Sequence, residues 1–450
     1  MTKKKQTVYI DCTATYYLGI NTGIQRVVRN IIKRAPSLSA KLGIECIPIV
    51  ANLGRYWRSK DFANMKQADR GNTTLIHTGA GITAKLDTHE KEVIAKSKRI
   101  PLLIFYAYAV SAVRRIIRYL GYAYLQAPFL RNLLTGRIQT VRPDVGDILL
   151  MPDSFWAYDI VSSAAKMKRE GVSVIPVVHD LIPLTHPQYC DKNFIKKYSS
   201  LLPHLLHIAS AVICISQSTK DALVRYMQAH EIDKYDEHWC TVSYSGADLS
   251  NEPDAAIDAM PIRAEVRRTC ENLYVYLMVG TIEPRKGHEV VFGAMTRLWD
   301  KGCTDHLVIV GRIGWLCDDL VTRMKSSAYF SQYLHILNDV NDNELDYLYQ
   351  HVSALIFASN IEGFGLPLVE AMGKGLPVIA SDIPVFQEIG KDQLIYFEPG
   401  NTRSLTTALS TYKDKYRGHE KVNYHVTWPS WDESTEQLLR KVLELAGHHR

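Results

Sequence analysis

Short apolar runs alternate with helix-period segments along most of this 450-residue chain. Each run is rich in Val, Ile and Leu and ends in polar turn residues, as expected of a strand buried on both faces. A strand, a helix and a second strand in succession form a parallel sheet that helices cover. The chain is therefore predicted to be an α/β protein with doubly wound sheets.

The apolar runs fall into two series. The first series contains TVYIDC, IECIPIV, TTLIH, DILLM, VSVIPVV, SAVICIS and CTVSYS. The second series contains LYVYLMVG, HLVIVG, YLHIL, SALIFA, LPVIAS and LIYFEP. Two pairs of residues have cap-to-N3 spacing and predict helix starts: Ser218 with Asp221, and Asn341 with Glu344.

Residues 246–268, between the two series, lack strand periodicity and are predicted to be a linker. We therefore expect two Rossmann-like domains, since 450 residues exceed one ordinary core. The predicted limits are an N-terminal domain over 1–260, a C-terminal domain over 261–425, and a last helix in 426–450 that packs back towards the N-terminal domain. Ligands bind at the carboxyl ends of strands in such sheets, so the two sheets are expected to face a cleft suited to two substrates.

Composition excludes several classes of protein. With 46% hydrophobic and 22% charged residues, the chain is not disordered, collagenous or a coiled coil. The excess of six basic residues suits phosphates or an anionic membrane face and does not indicate nucleic acid. The eight cysteines are scattered without a CxxC pair, so we expect reduced, buried thiols. The N-terminus MTKKKQTVYIDC lacks the pattern of a signal peptide and predicts a cytoplasmic protein.

Residues 101–142 interrupt the rhythm, because they contain six Arg, many aromatic residues and no acidic residue. The longest uncharged run has 13 residues, short of the roughly 20 that span a bilayer. One interpretation is a pair of core helices. The other is an interfacial element in which Arg114, Arg115 and Arg118 contact lipid phosphates, giving peripheral contact with the inner face of the cytoplasmic membrane.

The stretch SNIEGFGLPLVEAMGKGLPVIAS, residues 359–381, follows directly on a predicted buried strand. Its segment GFGLPLVEAM is predicted to turn sharply into a helix. Pro367 suits the first turn of that helix, and Gly373 or Gly375 suits its end.

Unpaired N–H groups near Gly365 and Leu366, at the start of that helix, predict an anion site suited to phosphate. Glu362 lies just before the site and Glu370 lies one turn inside the helix. Carboxylates beside a phosphate would repel it unless they face another group. Sugar hydroxyls are the partners that fit this requirement.

The segment VGTIEPRKGHEV places Arg285 and Lys286 after the first strand of the second series. By itself EPRKG is typical of a solvated turn. Beside the N-terminus of a helix, two cations predict a clamp for a diphosphate, and each charge-assisted hydrogen bond could contribute roughly 1.5 to 3 kcal/mol. The contribution would be larger for a leaving group that gains charge in the transition state.

The stretch EGFGLPLVEAMGKGLPVIAS, with Glu, seven residues and then Glu, resembles the signature of family-4 retaining glycosyltransferases of the GT-B fold. The resemblance continues in VGTIEPRKG, LVIVGRIGW, LNDVNDNELDYLY, HDLIPL and GINTGIQRVVRNI. The set is similar to bacterial enzymes that build surface polysaccharide, O-antigen or capsule, notably mannosyl- and rhamnosyltransferases. It implies transfer of a hexose from a nucleoside diphosphate sugar to a growing polysaccharide, and the basic aromatic residues of 101–142 suggest that this acceptor is a lipid-linked oligosaccharide. Other polysaccharide-assembly enzymes are then candidate partners.

The resemblance also implies roles for individual residues. Glu362 would lie by the donor sugar, Glu370 by the ribose, and Arg285 with Lys286 at the pyrophosphate. His179, at the end of VSVIPVVHD, would lie near the reacting carbon and complete the catalytic set. The other donor-binding residues implied are Thr281, Arg312, Leu337, Gly363, Phe364, Gly365 and Leu366. The acceptor or phosphate loop implied contains Gly19, Thr22, Gly23, Arg26 and Asp180.

One position departs from the family pattern. Many members carry Arg directly after the Gly that ends the VG strand, where this chain has Thr281. The clamp is then one cation short, and Arg312 is the residue expected to compensate. No Asp-x-Asp motif occurs in the sequence, so we expect Arg and Lys to neutralise the pyrophosphate without a metal or other cofactor.

Two other functions are compatible with the sequence. Gly79, Gly81 and Ala84 give a GxGxxA string, as in nicotinamide-dependent oxidoreductases. However, no acidic residue ends a following strand about 20 positions on, where the ribose partner would lie. The second alternative is a non-catalytic sugar-nucleotide sensor that attaches to membranes through residues 101–142.

Overall fold

The structure is a computed structural model. It describes residues 5–18, 22–59, 111, 129, 133–136, 138–157, 160–232, 239–246, 261–426 and 428–447. The chain divides into two compact units, Met1–Pro176 with His207–Ala209 and Arg450, and Val177–Leu206 with Ser210–His449. The predicted boundary at residue 260 adjoins a segment outside the described residues, so the predicted domain limits stay a prediction.

The first sheet has eight strands. They are β1 (Thr7–Asp11), β2 (Glu45–Asn52), β3 (Arg55–Ser59), β4 (Ile138–Thr140), β5 (Ile148–Met151), β6 (Ser173–Val178), β7 (Val212–Cys214) and β8 (Cys240–Val242). Their order is β4-β3-β2-β1-β5-β6-β7-β8. All neighbouring pairs are parallel except those that β3 makes with β2 and β4. The strand order reverses between β1 and β5, which is the switch point of this sheet.

Helices that the structure describes lie between these strands in the chain. They are α1 (Thr13–Leu18), α2 (Gly23–Leu42), α3 (Ile160–Arg169), α4 (Ile182–Thr185), α5 (Lys192–Ile208) and α6 (Gln217–Ala229). Of these, α2 is long and amphipathic. Helix α2 buries one apolar stripe, formed by Val27, Val28, Ile31, Ile32, Ala35 and Leu38. This spacing of three and four residues places the stripe on a single helix face.

The second sheet has six strands. They are β9 (Val275–Val279), β10 (His306–Val310), β11 (Leu334–Leu337), β12 (Ala354–Phe357), β13 (Val378–Ser381) and β14 (Ile395–Phe397). Their order is β11-β10-β9-β12-β13-β14, and every neighbouring pair is parallel. The strand order reverses between β9 and β12, so this sheet has its own switch point there.

The helices of this half connect and cover those strands. They are α7 (Ala264–Arg268), α8 (His288–Trp299), α9 (Asp318–Ser326), α10 (Asp342–His351), α11 (Leu366–Gly373), α12 (Pro384–Gly390), α13 (Thr402–Lys415) and α14 (Trp431–Gly447). The predicted start of α10 is confirmed, because Asn341 and Glu344 form a reciprocal capping box.

The core of the second sheet explains why its strands have no polar alternation. Tyr276 and Met278 of β9 and Leu307 and Ile309 of β10 are buried together with Trp299 of α8. Each fully buried side chain of this size contributes roughly 1.5 to 3 kcal/mol. The strands are covered on both faces, as the continuous apolar runs predict.

The α/β prediction with two parallel sheets is confirmed. Each predicted strand within the described residues is present, while TTLIH lies outside them. The sequence analysis missed β3 and β4, short strands at the antiparallel edge of the first sheet. The predicted cap Ser218 is wrong, since Ser216 accepts from the Thr219 N–H and caps α6.

The interpretations of residues 101–142 need one correction. Residues 138–140 form strand β4 rather than helix or interfacial element, because they pair with β3. Most of this segment lies outside the described residues. Within the described parts of the chain, no helix combines the length and apolarity needed to cross a bilayer.

Candidate active site

The loops after β9 and β12 lie at the switch point of the second sheet. The carboxyl ends of neighbouring strands diverge at such a point and leave room for a ligand. The β9 loop contains the short 3-10 turn Pro284–Lys286. The backbone N–H of Asn360, in the β12 loop, donates to the carbonyl of Arg285 at 2.7 Å. This hydrogen bond joins the two loops directly.

A cluster of charged side chains lies where these loops meet. Glu362 accepts from Arg285 Nη1 at 2.8 Å and also from Lys286 Nζ. Ser359 Oγ donates to Glu362 Oε1 at 2.8 Å. Arg285 Nε lies 2.7 Å from Glu283 Oε1. We call these five residues the charge cluster. Among the side chains that form its ion pairs, that of Arg285 is the most exposed, at 20%.

Charge partners determine which groups of the cluster are ionised. Burial by itself would raise the pKa of Glu362, but Arg285 and Lys286 lower that pKa to about 2. Burial lowers the pKa of Lys286, as does Arg285, while Glu362 opposes this shift. Burial raises the pKa of Glu283, against the effect of Arg285. Glu362 is therefore ionised at neutral pH.

His179 and Asp180 follow β6 and pack against the glycine turn that precedes α11. A Cβ atom on Gly363 would lie 2.0 Å from the His179 carbonyl oxygen, so only glycine fits there. The carbonyl of Gly363 accepts from Ser216 Oγ at 2.7 Å and from Thr219 Oγ1 at 3.1 Å. The turn is therefore held from several sides within the second unit.

Asp180 lies within the electrostatic influence of the charge cluster. Burial raises the pKa of Asp180, whereas Arg285 and the N–H of Ile182 lower it. The side chain of His179 is buried. The structure therefore brings His179 and Asp180 to the same turn as Glu362.

The residues of the turn into α11 have different surroundings. The ring of Phe364 is buried and packs on Tyr244 and Trp428, with centroid distances of 6.2 and 5.7 Å. Leu366 is the first residue of α11, and Gly365 is its N-cap. Glu370 is buried one turn inside the helix, where it accepts from the Tyr349 hydroxyl at 3.0 Å.

Pro367 lies in the first turn of α11, and the helix ends at Gly373. Both predictions about this helix are therefore confirmed. The implied ribose contact of Glu370 stays a prediction, and a protein hydroxyl already contacts this carboxylate.

Thr281, Arg312 and Leu337 lie at the ends of three neighbouring strands. The N–H of Ile282 donates to the Arg312 carbonyl at 2.8 Å, and the N–H of Gly311 donates to the Leu337 carbonyl at 3.0 Å. The side chain of Arg312 is exposed. The contacts of the charge cluster come from Arg285 and Lys286, so compensation by Arg312 for the cation missing at Thr281 stays a prediction.

Of the implied acceptor-loop residues, Thr22, Gly23 and Arg26 belong to the first unit, whereas Asp180 belongs to the second. Gly19 lies outside the described residues. Thr22 is the N-cap of α2, Gly23 is its first residue, and the N–H of Arg26 donates to the Thr22 carbonyl at 2.9 Å. The role of this loop stays a prediction.

Two residues of the charge cluster were not identified from the sequence. Glu283 belongs to the EPRKG segment, in which the cations were singled out. Its Oε2 atom is buried without a hydrogen-bond partner. Ser359 is the first residue of the quoted 359–381 stretch, and no local pattern indicates that its hydroxyl reaches Glu362.

Residues 264–424 match the family model described as "Glycosyl transferases group 1". The segment contains the whole charge cluster.

The chain is also similar to two mannosyltransferases. It is 33% identical over 297 residues to the serotype-specific mannosyltransferase WbdA of Escherichia coli, covering 63% of this chain and 35% of WbdA. The chain thus spans about a third of the length of that curated relative. It is 24% identical over 332 residues to the O-antigen chain mannosyltransferase RfbU of Salmonella typhimurium, covering 71% of this chain and 84% of RfbU.

A solved structure resembles the fold over almost the full length. The crystal structure of Anabaena Alr3699/HepE in complex with UDP-glucose has a TM-score of 0.52 and 14% sequence identity, and the match covers 98% of each chain. At this identity the likeness concerns the fold alone. It confirms the predicted GT-B class.

Proposed function

We propose that the chain is a glycosyltransferase that moves a hexose from a nucleoside diphosphate sugar to a bacterial surface polysaccharide. The observation that carries the proposal is the meeting of Arg285 and Lys286 with Glu362 beside the glycine turn of α11. The group 1 family of residues 264–424 supports the reaction class. Similarity to WbdA and RfbU favours mannose over rhamnose and an O-antigen acceptor.

The charge cluster supplies cations where a diphosphate would need them. Arg285 and Lys286 are adjacent in sequence, and both contact the same carboxylate. A diphosphate carries more negative charge than Glu362 and would compete with it for both cations. Charge-assisted hydrogen bonds in such a poorly exposed site are stronger than those in water.

Exchange of partners would release Glu362 for a second role. The carboxylate would then accept hydrogen bonds from hydroxyls of the donor sugar, next to the diphosphate. Glu283 would keep Arg285 in place during the exchange, because its carboxylate contacts Nε, whereas Glu362 contacts Nη1. The two carboxylates thus have different roles.

The transfer itself needs no protein nucleophile. The bond between the anomeric carbon and the phosphate oxygen breaks, and its electron pair leaves with the nucleoside diphosphate. The acceptor oxygen bonds to the same face of that carbon, so configuration is retained. The acceptor proton passes to the departing phosphate oxygen. Arg285 and Lys286 stabilise the charge that develops there, while His179 and Asp180 lie by the turn and help to position the reacting groups.

Turnover is proposed to be independent of a divalent metal, because Arg285 and Lys286 supply the positive charge. Activity should therefore persist in excess EDTA. Strict dependence on added magnesium or manganese would contradict this part of the proposal.

The acceptor is proposed to be lipid-linked, which would bring the enzyme to the inner face of the cytoplasmic membrane. The basic residues of 101–142 are the proposed contact, and most of them lie outside the described residues. Flotation with phosphatidylglycerol vesicles tests the contact. A protein that stays at the bottom of the gradient with anionic and neutral vesicles alike would refute it.

A donor screen followed by one variant tests the function. UDP-, GDP- and dTDP-sugars are compared by thermal shift, since a ligand of the folded state raises its apparent stability. Lys286→Ala should then reduce transfer from the active donor roughly 100- to 1,000-fold. Lys413→Ala is a matched control, because it removes another Lys–carboxylate pair, with Asp305 at 2.7 Å. Undiminished transfer by Lys286→Ala would refute the clamp.

A further inference from the structure

The loop after β10 exposes three large apolar side chains in a row. Ile313 is 40% exposed, Trp315 is 44% exposed and Leu316 is 67% exposed. Single exposed apolar residues are common on proteins, but a contiguous group beside a candidate site is typical of a binding surface. Neither the charge cluster nor the diphosphate clamp uses these residues.

The position of Trp315 is fixed by the protein. The N–H of Gly314 donates to the Ile282 carbonyl at 2.9 Å, so the β10 loop runs along the β9 loop. A Cβ atom on Gly314 would lie 2.7 Å from Thr281 Cγ2, and only glycine allows this approach. The indole Nε1 of Trp315 donates to the Tyr189 carbonyl at 2.9 Å. The indole N–H is therefore satisfied, while much of the side chain stays exposed.

Two more aromatic rings lie on the segment that Trp315 contacts. The rings of His186 and Tyr189 are nearly parallel, with an interplanar angle of 9° and centroids 6.3 Å apart. Both residues are partly exposed. We call His186, Tyr189 and Trp315 the aromatic rim.

The aromatic rim lies next to the charge cluster within the second unit. Cys190 adjoins Tyr189, and burial and Asp180 raise the pKa of its thiol to about 11, while Arg285 opposes the shift. A Cβ atom on Gly314, next to Trp315, would also lie 3.5 Å from the Cβ atom of Glu283 in the charge cluster. The segment that carries the rim begins at His179 and Asp180, which pack on the glycine turn.

We propose that the aromatic rim binds the acceptor carbohydrate, with a sugar ring stacked on Trp315. A sugar ring has an apolar C–H face and a rim of hydroxyls, so it pairs with an exposed aromatic face that polar groups surround. The inference rests on the proposed function and names the site of its second substrate.

Charge favours a neutral sugar over an anionic lipid at the rim. Asp318 follows the exposed loop and Asp191 follows Cys190, and both side chains are exposed. Because the exposed side chains of Arg312 and Lys192 balance these two carboxylates, the rim has no excess of positive charge that would select an anionic headgroup. Connection of the rim to His179 and Asp180 favours the acceptor over the nucleotide base, because these two residues lie at the turn proposed to hold the donor sugar.

Kinetics of two Trp315 substitutions and one control variant test the proposal. Trp315→Ala should raise the acceptor KM about tenfold, the scale of one lost ring-stacking contact. Trp315→Phe keeps a ring and should restore most of the affinity. Leu316→Ala is the matched control, since it removes a neighbouring exposed side chain and should leave the acceptor KM unchanged. The donor KM and the melting temperature should be unchanged in all three variants.

Other outcomes would overturn the inference. A raised donor KM with an unchanged acceptor KM would assign Trp315 to the nucleotide base. Equal effects of Trp315→Ala and Leu316→Ala would indicate a general loss of apolar surface. If Trp315→Ala lowers the melting temperature, its acceptor KM is compared with that of Trp315→Phe. Equal acceptor KM values in these two variants would refute stacking on the ring.

A binding experiment separates this inference from the proposed function. Soluble α-linked mannotriose is titrated into the protein without donor, and the heat of binding is measured by isothermal titration calorimetry. Binding that Trp315→Ala abolishes and Leu316→Ala retains would support the rim even if no sugar donor proves active. Saturable mannotriose binding that survives Trp315→Ala, or no binding by a protein that transfers mannose, would refute the rim.

Discussion

The switch points of the two sheets bury carboxylates and shift their pKa values in opposite directions. In the first sheet, Asp11 ends β1, and burial with the nearby Asp153 raises its pKa to about 8. In the second, Glu362 follows β12, and Arg285 and Lys286 lower its pKa to about 2 despite burial. The acid that ends β1 thus keeps its proton at neutral pH, whereas the acid in the loop after β12 is ionised.

The difference comes from the neighbours that each carboxylate meets. Asp153, whose charge raises the pKa of Asp11, accepts from the backbone N–H groups of Thr15 at 2.7 Å and Ser154 at 2.8 Å. Asp11 lies beside that charge and accepts from Thr13. Burial therefore sets how strongly a neighbouring charge shifts the pKa of a carboxylate. The sign of that neighbouring charge decides whether the carboxylate is protonated or ionised.

The strongest test of the comparison is removal of the Glu362 charge. Glu362→Gln leaves Arg285 and Lys286 with little exposure and without this counter-charge, so the free energy of unfolding should fall by about 3 to 5 kcal/mol at pH 7. Denaturant unfolding measures the change. Asp11→Asn is the matched substitution, and it should be neutral or stabilising because Asp11 is already uncharged at pH 7. Equal destabilisation by both substitutions would refute the comparison.

The second test uses pH. The pKa of Asp11 is raised in the folded state, so the folded protein keeps a proton that the unfolded chain releases above pH 4. The contribution to stability is complete below pH 4 and is lost as pH rises towards about 8. Between pH 5 and 8, the free energy of unfolding should fall by about 1 kcal/mol per pH unit from this group.

Asp11→Asn should remove that slope, because an amide has no proton to lose. Calorimetric melting of both proteins at several pH values gives the comparison. Glu362 should contribute nothing in this window, since its stabilisation is lost only as pH falls from about 4.5 through about 2. Parallel pH profiles of the parent protein and Asp11→Asn would contradict the assignment.

The third test asks whether Glu362 competes with a diphosphate. Glu362→Gln frees Arg285 and Lys286, so inorganic pyrophosphate should bind about tenfold more tightly, while transfer of sugar should fall. Isothermal titration measures the affinity. Weaker pyrophosphate binding in this variant would show that Glu362 organises the cations for the ligand instead of competing with it.

The smallest expected effect comes from the hydrogen bond of Ser359 to Glu362. Ser359→Ala should lower the free energy of unfolding by about 1 kcal/mol and raise the pKa of Glu362. Ser326→Ala is the control, because its exposed hydroxyl donates to the Thr322 carbonyl at 2.8 Å. Loss of stability in both variants to the same extent would indicate a general effect of removing a serine hydroxyl.

Local patterns predicted the regular elements of this protein well. The apolar runs became strands, and the Asn341 capping box and Pro367 at the start of α11 were confirmed, because each depends on residues a few positions apart. Strands β3 and β4 were missed because they are short, and their edge pairing depends on a distant partner. Ser216 instead of Ser218 caps α6, and Glu388 binds the N–H of Ser218 at 2.9 Å from another helix.

The charge cluster was predicted in part. Arg285, Lys286 and Glu362 were identified as a set, and the structure brings them into contact. Glu283 and Ser359 were not identified, since a carboxylate in a turn and a serine after a strand are common at any protein surface. Their importance comes from the partners that they meet.

The sequence by itself determined the two α/β sheets and the glycine turn at the start of α11, because apolar periodicity and backbone freedom act over short distances along the chain. The tertiary structure decided which charges lie together, as with Lys286 and Glu362, which are 76 positions apart. It also decided that Asp11 keeps its proton while Glu362 loses it. The physical reason is that the energy of a buried charge depends on the neighbours that folding brings within a few ångströms of it.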